Sequence, residues 1–172
     1  MLELIYETHS LTTHNEQGLA TGWLPGELSE AGRGQAVQLG ERRRDVDAVF
    51  SSDLGRALET VAIAFGETAV PVFYDWRLRE CDYGALNGAP AGELEVEKHL
   101  DVPYPGGESY RDVVARVASF LDDLRTRWDG KRVVVVSHAA PRWALQHLLE
   151  GRPLEELVGA PFDWRPGWVF RA

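Results

Sequence analysis

The run Val133-Val134-Val135-Val136 limits what this chain can fold into more than any other feature of its sequence. Successive side chains of a strand point to opposite faces of a sheet, so four β-branched residues in a row leave no face for water. Such a strand is stable where helices cover both sides of a parallel sheet. Leu2–Tyr6, Asp47–Phe50 and Val70–Tyr74 are further short apolar runs that read as strands, and Trp168–Phe170 reads as a last one.

Helical periodicity fills the gaps between these runs. Ser29 is placed to cap a helix from Glu30 to about Arg44. Leu54, Ala57 or Leu58, Val61 and Phe65 recur at helical spacing, as do Val113, Val117, Phe120 or Leu121, Leu124 and Trp128, with Gly130 as the stop. Pro141 opens another helix carrying Trp143, Leu145, Leu148 and Leu149, with Gly151 beyond its end. The alternation predicts a three-layer α/β/α domain with a mostly parallel central sheet. Thr8 to Leu28 lacks periodicity and reads as a long loop. Residues 76–107, interrupted by Gly and Pro, read as an excursion over one end of the sheet, a small lid with one short helix. The 172 residues make one domain.

Charge then narrows the partners. Eighteen Lys and Arg against 27 Asp and Glu give a formal charge of -9, which disfavours nucleic acid and anionic membranes. No apolar stretch reaches membrane-spanning length, and one cysteine, Cys81, excludes an internal disulfide, so a cytoplasmic location is expected. No spacing of His, Cys, Asp or Glu suggests a metal site, and no cofactor is expected. Cys81 reads as a small buried residue and His99 and His147 as residues without a ligand. Arg42–Arg44 read as cations at a helix C-terminus, and the six tryptophans read mainly as core.

In open α/β sheets, ligands bind beyond the carboxyl ends of the strands. His9 follows the first strand, Ser51-Ser52-Asp53 the second, and Ser137-His138 the valine strand. The two histidines are thus placed to share a site. Arg56, in the first turn of a helix, is placed to join free backbone N–H groups in holding an anion.

Several short motifs occur in one order along the chain: Thr8-His9-Ser10 with Thr12 and Asn15, Ser51-Ser52-Asp53-Leu54-Gly55-Arg56-Ala57, Leu78 to Gly88, Pro105-Gly106-Gly107-Glu108-Ser109, and Ser137-His138-Ala139. In this the chain resembles the histidine-phosphatase superfamily, the phosphoglycerate-mutase-like proteins, from its first strand to about Leu149. The family carries Arg-His-Gly after its first strand and Ser-His-Gly after the last core strand. Here Thr8 stands in place of the Arg, and Ser10 and Ala139 in place of the Gly residues. Loss of one charge-assisted phosphate contact costs roughly 1.5–3 kcal/mol, which His14, Arg33 or Arg142 would have to offset.

The resemblance implies that His9 is a phosphorylated nucleophile. It also implies that His138 and Arg56 stabilise the transferring phosphoryl group, and that Glu80, or Asp82 beside it, handles the leaving-group proton. Thr8, Thr12, Asn15 and Ala139 would contact substrate or fix its loop, with Trp23 as a further contact. Ser51 and Ser52 read as helix-start residues rather than nucleophiles. The implied activity is hydrolysis of a small phosphorylated metabolite. The alternatives are a phosphoglycerate-type mutase and a catalytically impaired relative that binds or regulates. Oligomeric state, a homo-oligomer included, is left open.

Overall fold

The computed structural model describes all residues, Met1–Ala172. The valine strand is the middle of a sheet in the order β3-β2-β4-β1-β5. The strands are β1 (Glu3–Thr8), β2 (Ala48–Ser51), β3 (Val72–Tyr74), β4 (Arg132–Ser137) and β5 (Trp168–Arg171). β1 to β4 run parallel, and β5 closes one edge antiparallel to β1.

The four valines divide as their period requires. Val133 and Val135 join the larger core with Leu4, Tyr6 and Phe50, under helices α4 (Tyr110–Arg127) and α5 (Ala139–Glu150). Val134 and Val136 face the other way, packing with Ile5, Val49, Leu39 of α2 (Glu30–Arg42) and Val61 and Phe65 of α3 (Gly55–Phe65). The three layers expected from the sequence are therefore present, with β5 confirmed as a strand. No helix is long and apolar enough to cross a membrane.

Boundaries differ from the periodicity reading in ways that local chemistry explains. Helix α2 ends at Arg42, and Arg42 and Arg43 turn back to the buried Glu7, at 2.9 and 2.7 Å. Their partner is a carboxylate on β1 rather than the helix dipole. The loop after β1 contains a one-turn helix, α1 (Thr13–Glu16), closed by a capping box between Thr12 and Asn15. Helix α5 starts two residues before Pro141, a first-turn position where the missing N–H has no helical partner to lose. The middle segment holds four short 3-10 turns and no α-helix, and it buries Leu78, Cys81, Tyr83, Leu94 and Tyr104 in the larger core. A last one-turn helix, α6 (Leu154–Leu157), precedes the segment leading into β5. Of the six tryptophans only Trp168 is buried; Trp76 and Trp164 are more than half exposed.

Candidate active site

Strands β1 and β4 pair in register from Glu3 opposite Arg132 to Thr8 opposite Ser137, so they end level. The His9 N–H continues the ladder to the Ser137 carbonyl at 2.8 Å. From this point the chain leaves β1 toward α2 on one face and leaves β4 into α5 on the other, which opens a crevice between them. His9 and His138 stand there together, ring centroids 5.1 Å apart and planes inclined by 52°.

His9 is fixed in one tautomer. Its Nδ1 lies 2.8 Å from the Ser10 carbonyl, which only accepts, so Nδ1 carries the proton and donates. Nε2 keeps its lone pair, toward which the Arg56 Nε–H points at 3.4 Å. Burial, helped by the Arg56 charge, lowers the His9 pKa to about 3, so the ring is neutral.

His138 is fully buried and held from two sides. The Tyr6 hydroxyl donates to its carbonyl at 2.6 Å and accepts its N–H at 3.1 Å. Its Nε2 is 2.8 Å from the Ser52 hydroxyl, which also accepts the Leu54 N–H at 3.2 Å. When Ser52 donates to Nε2, the ring proton sits on Nδ1, a buried atom with no partner. Burial first, then the nearby Arg56 and His9, hold the His138 pKa well below its ordinary value.

Helix α5 has no side-chain cap of its own, and Glu80 supplies one. The buried carboxylate accepts the N–H groups of Ala139 at 3.2 Å, Ala140 at 3.1 Å and Cys81 at 2.8 Å. Negative charge is favoured at a helix N-terminus, which accounts for a buried acid here rather than a solvated one. Asp82, the other candidate acid, is tied into its own turn by the Gly84 N–H and the Asn87 amide at 2.9 and 2.8 Å.

Arg56 is buried in the first turn of α3. Its guanidinium donates to the carbonyls of Leu24 at 2.8 Å and Gly22 at 2.9 Å, pinning that loop and leaving Nε toward His9. Gly22 is required there: its φ is 55°, and a Cβ would collide with the Asn87 side chain.

A cavity of about 510 Å³ opens beside His9, and Thr8, Asn15, Glu80 and Ala139 line it. Thr12 does not line it; fully buried, it accepts the Asn15 N–H at 3.0 Å while Asn15 accepts the Thr12 N–H. Trp23 is likewise outside the lining, its indole N–H donating to the Glu80 carbonyl at 2.7 Å. Of the candidate compensating groups, Arg33 pairs with Glu59 at 3.0 Å and His14 contacts Thr21 at 3.2 Å. Arg142 is buried with no ion-pair or side-chain hydrogen-bond partner, its guanidinium 4.4 Å above the Trp168 ring. Cys81 is buried, and that burial pushes its thiol pKa up, so it is a packing residue. The sequence reading missed Tyr6 and the pairing of Ser52 with His138, and it also missed Phe162 and Trp164 on the cavity wall. The Ser-Ser-Asp segment was visible, but the contact of Ser52 across 86 residues left no local trace.

The pattern of the histidine phosphatase superfamily (branch 1) matches residues 8–163. The chain belongs to this superfamily. It is 34% identical over 175 residues to a 2,3-bisphosphoglycerate-dependent phosphoglycerate mutase of Methylobacterium sp. (strain 4-46), covering 91% of this chain and 84% of that one. Among solved structures, Bacillus stearothermophilus YhfR superposes with a TM-score of 0.84 at 28% identity, covering 96% and 88% of the two chains. A mycobacterial glucosyl-3-phosphoglycerate phosphatase in complex with VO3 superposes with a TM-score of 0.79 at 31% identity, covering 90% and 85%. Superfamily members are thus phosphatases and mutases, and enzyme activity in that general sense extends to this chain.

The two neutral imidazoles make stability depend on pH. In the unfolded chain each histidine protonates as pH falls through about 6.5, while the folded chain resists protonation of His9 down to about 3 and of His138 well below 6.5. Below about 6.5 the unfolded state therefore binds more protons, so stability is full above that pH and declines as pH falls. Denaturant midpoints measured from about pH 7.5 down to about pH 5 should fall for the wild type and fall less steeply for His138→Gln. Parallel slopes in the two proteins would contradict the assignment.

Proposed function

We propose that the chain is a phosphomonoester hydrolase that works through a phosphohistidine at His9, on a small phosphorylated metabolite. The observation that supports this most is the His9 tautomer: the bond from Nδ1 to the Ser10 carbonyl leaves Nε2 neutral and unprotonated, a nucleophile on a residue that lines the cavity. Nε2 attacks phosphorus in line, and the bond from phosphorus to the alcohol oxygen breaks as the N–P bond forms. Glu80 in its protonated form gives that proton to the departing oxygen. The carboxylate left behind, the state the Cys81, Ala139 and Ala140 N–H groups hold, then takes a proton from the water that attacks the phosphohistidine, releasing inorganic phosphate and restoring His9 and protonated Glu80. Asp82 is the weaker candidate because Glu80 lines the cavity beside His9 and Asp82 does not. The unpartnered Nδ1–H of His138 and the Arg56 guanidinium meet the developing charge on the phosphoryl oxygens.

Thr8 leaves this pocket without the arginine that the family resemblance expects. Arg142 fills that electrostatic role in the proposed site. Both Arg56 and Arg142 are buried without a carboxylate partner, and burial lowers both pKa values while Glu80 acts against that fall. Two buried guanidinium groups without ion-pair partners are costly in an empty site, and a bound anion offsets that cost. The same four residues, His9, Arg56, Glu80 and His138, weigh against a binding protein without chemistry, because its ligand would not need a nucleophile and a proton carrier in one crevice. The middle segment contributes only Glu80 to the cavity lining, which leaves His9 accessible to water and favours hydrolysis over phosphoryl return to a bound intermediate.

Phosphate release from a panel of phosphomonoesters tests the reading. Wild type should turn over at least one ester, and His9→Ala should lose about 10⁴-fold or more in kcat; activity that survives in the variant would remove His9 as nucleophile. Arg142→Gln should lower kcat/KM by about tenfold, the worth of one charge-assisted contact, with Arg142→Lys recovering part of it. Unchanged kcat/KM in Arg142→Gln would exclude Arg142 from the site's charge balance.

A further inference from the structure

The cavity is far larger than a phosphate group requires, and its walls describe the rest of the substrate. Beside His9 they carry Leu11, Leu39, Phe162 and Trp164 as the larger apolar groups, with Thr8, Ser10, Asn15, Gln35 and Gln38 as the neutral polar groups. From this composition, and on the reading of the site as a phosphatase, we infer that the alcohol carried by the phosphate is uncharged, with a flat apolar group against Phe162 and Trp164.

Charge supports this. Besides His9, the ionisable groups that line the cavity are Glu7, Glu80 and Arg42. Arg42 is the one permanent cation among them, and Glu7 already holds it at both Nε and Nη2, at 3.3 and 2.9 Å. Glu7 also takes the Arg43 Nε–H at 2.7 Å. A carboxylate or second phosphate on the substrate would therefore meet lining residues that carry two acids and no free cation, the Arg142 charge being assigned to the transferring phosphoryl group, in a chain of net charge -9. Such a group would lose its hydration without gaining a partner. Substrates of the phosphoglycerate type carry that second anion, so this wall is built against them.

The aromatic pair supports the other half of the inference. Phe162 and Trp164 are two residues apart and remain 57% and 55% exposed at the cavity edge. Two aromatic side chains left open on the lining of a concave site offer a flat apolar surface to a ligand. The Arg142 guanidinium lies 5.6 Å from the Phe162 ring and 4.4 Å from the Trp168 ring. This cation–π stack ties the aromatic wall to α5, whose first turn also carries Ala139 and the N–H groups that Glu80 caps. The group that recognises the alcohol and the group that handles its proton are thus joined to one helix end.

Two non-hydrolysable probes of similar length separate the possibilities: 2-phenylethylphosphonate and 3-phosphonopropionate, titrated calorimetrically into the full chain. The aromatic phosphonate should bind about tenfold more tightly, the worth of one stacked ring. Trp164→Ser should remove most of that preference, and Gln38→Arg, which adds a cation to the same wall, should shift it toward the carboxylate probe. Equal affinities, tighter binding of 3-phosphonopropionate by the wild type, or no binding of either probe would overturn the inference. Turnover of 2-phenylethyl phosphate, compared between wild type and His9→Ala, is read separately. Aromatic preference without His9-dependent turnover sinks the phosphatase reading alone, and His9-dependent turnover with a preference for the carboxylate-bearing ester sinks the inference alone.

Discussion

The level ending of β1 and β4 is the constraint on which the rest of the site depends. Because Thr8 pairs with Ser137 in an unbroken parallel register, the next residue of each strand emerges at the same height. The chain then departs to opposite faces, toward α2 and into α5, so that His9 and His138 come together in a crevice. A slip of one residue in this pairing would send every side chain of β1 to the other face. Tyr6 would leave the larger core and Glu7 would enter it. The register is held by the burial of both faces of β4, so the valine run both forms the core and places the proposed chemistry.

Around this crevice, polar groups are buried in a way that stores electrostatic energy. Glu80 caps α5, Tyr6 clamps the His138 backbone, and Ser52 holds the His138 ring. Each of these bonds satisfies a group that would otherwise be costly to bury. The exceptions are informative: the His138 Nδ1 and the Arg142 Nε are buried without partners. Arg56 points its Nε–H toward the neutral His9 at 3.4 Å, and burial disfavours the charge of both Arg56 and Arg142. Such an arrangement lowers the stability of the empty fold and stabilises an anion on arrival, which is what a phosphoryl-transfer site requires.

Period and composition were enough to read the layers, because burial on one or both faces leaves a direct mark on residue order. Val133–Val136 and the stripe along α4 are examples, and their placement follows from solvation alone. The family resemblance brought His9, Arg56, Glu80 and His138 to attention, and the structure gathers them around one crevice. Other features left no mark. Arg42 and Arg43, at the end of α2, reach Glu7, 35 and 36 residues earlier. Thr12 and Asn15 serve a capping box rather than jointly lining the cavity, a choice between two uses of the same hydrogen-bonding groups. Phe162 and Trp164 lie in a Gly- and Pro-containing stretch without periodicity, and only the three-dimensional path of that segment past β1 makes them a wall of the cavity. Tryptophan burial was overestimated because large rings often serve at mouths and edges, where one face stays wet.

The central claim is that the His9 Nε2 becomes covalently phosphorylated. Rapid mixing with a turned-over aryl phosphate, alkaline quenching and peptide mass spectrometry measure this directly. The account predicts an alkali-stable, acid-labile phosphoryl group on the peptide containing His9 in the wild type, absent in His9→Ala. Steady turnover with no phosphorylated His9 at any mixing time, or a phosphoryl group on another residue, would contradict it.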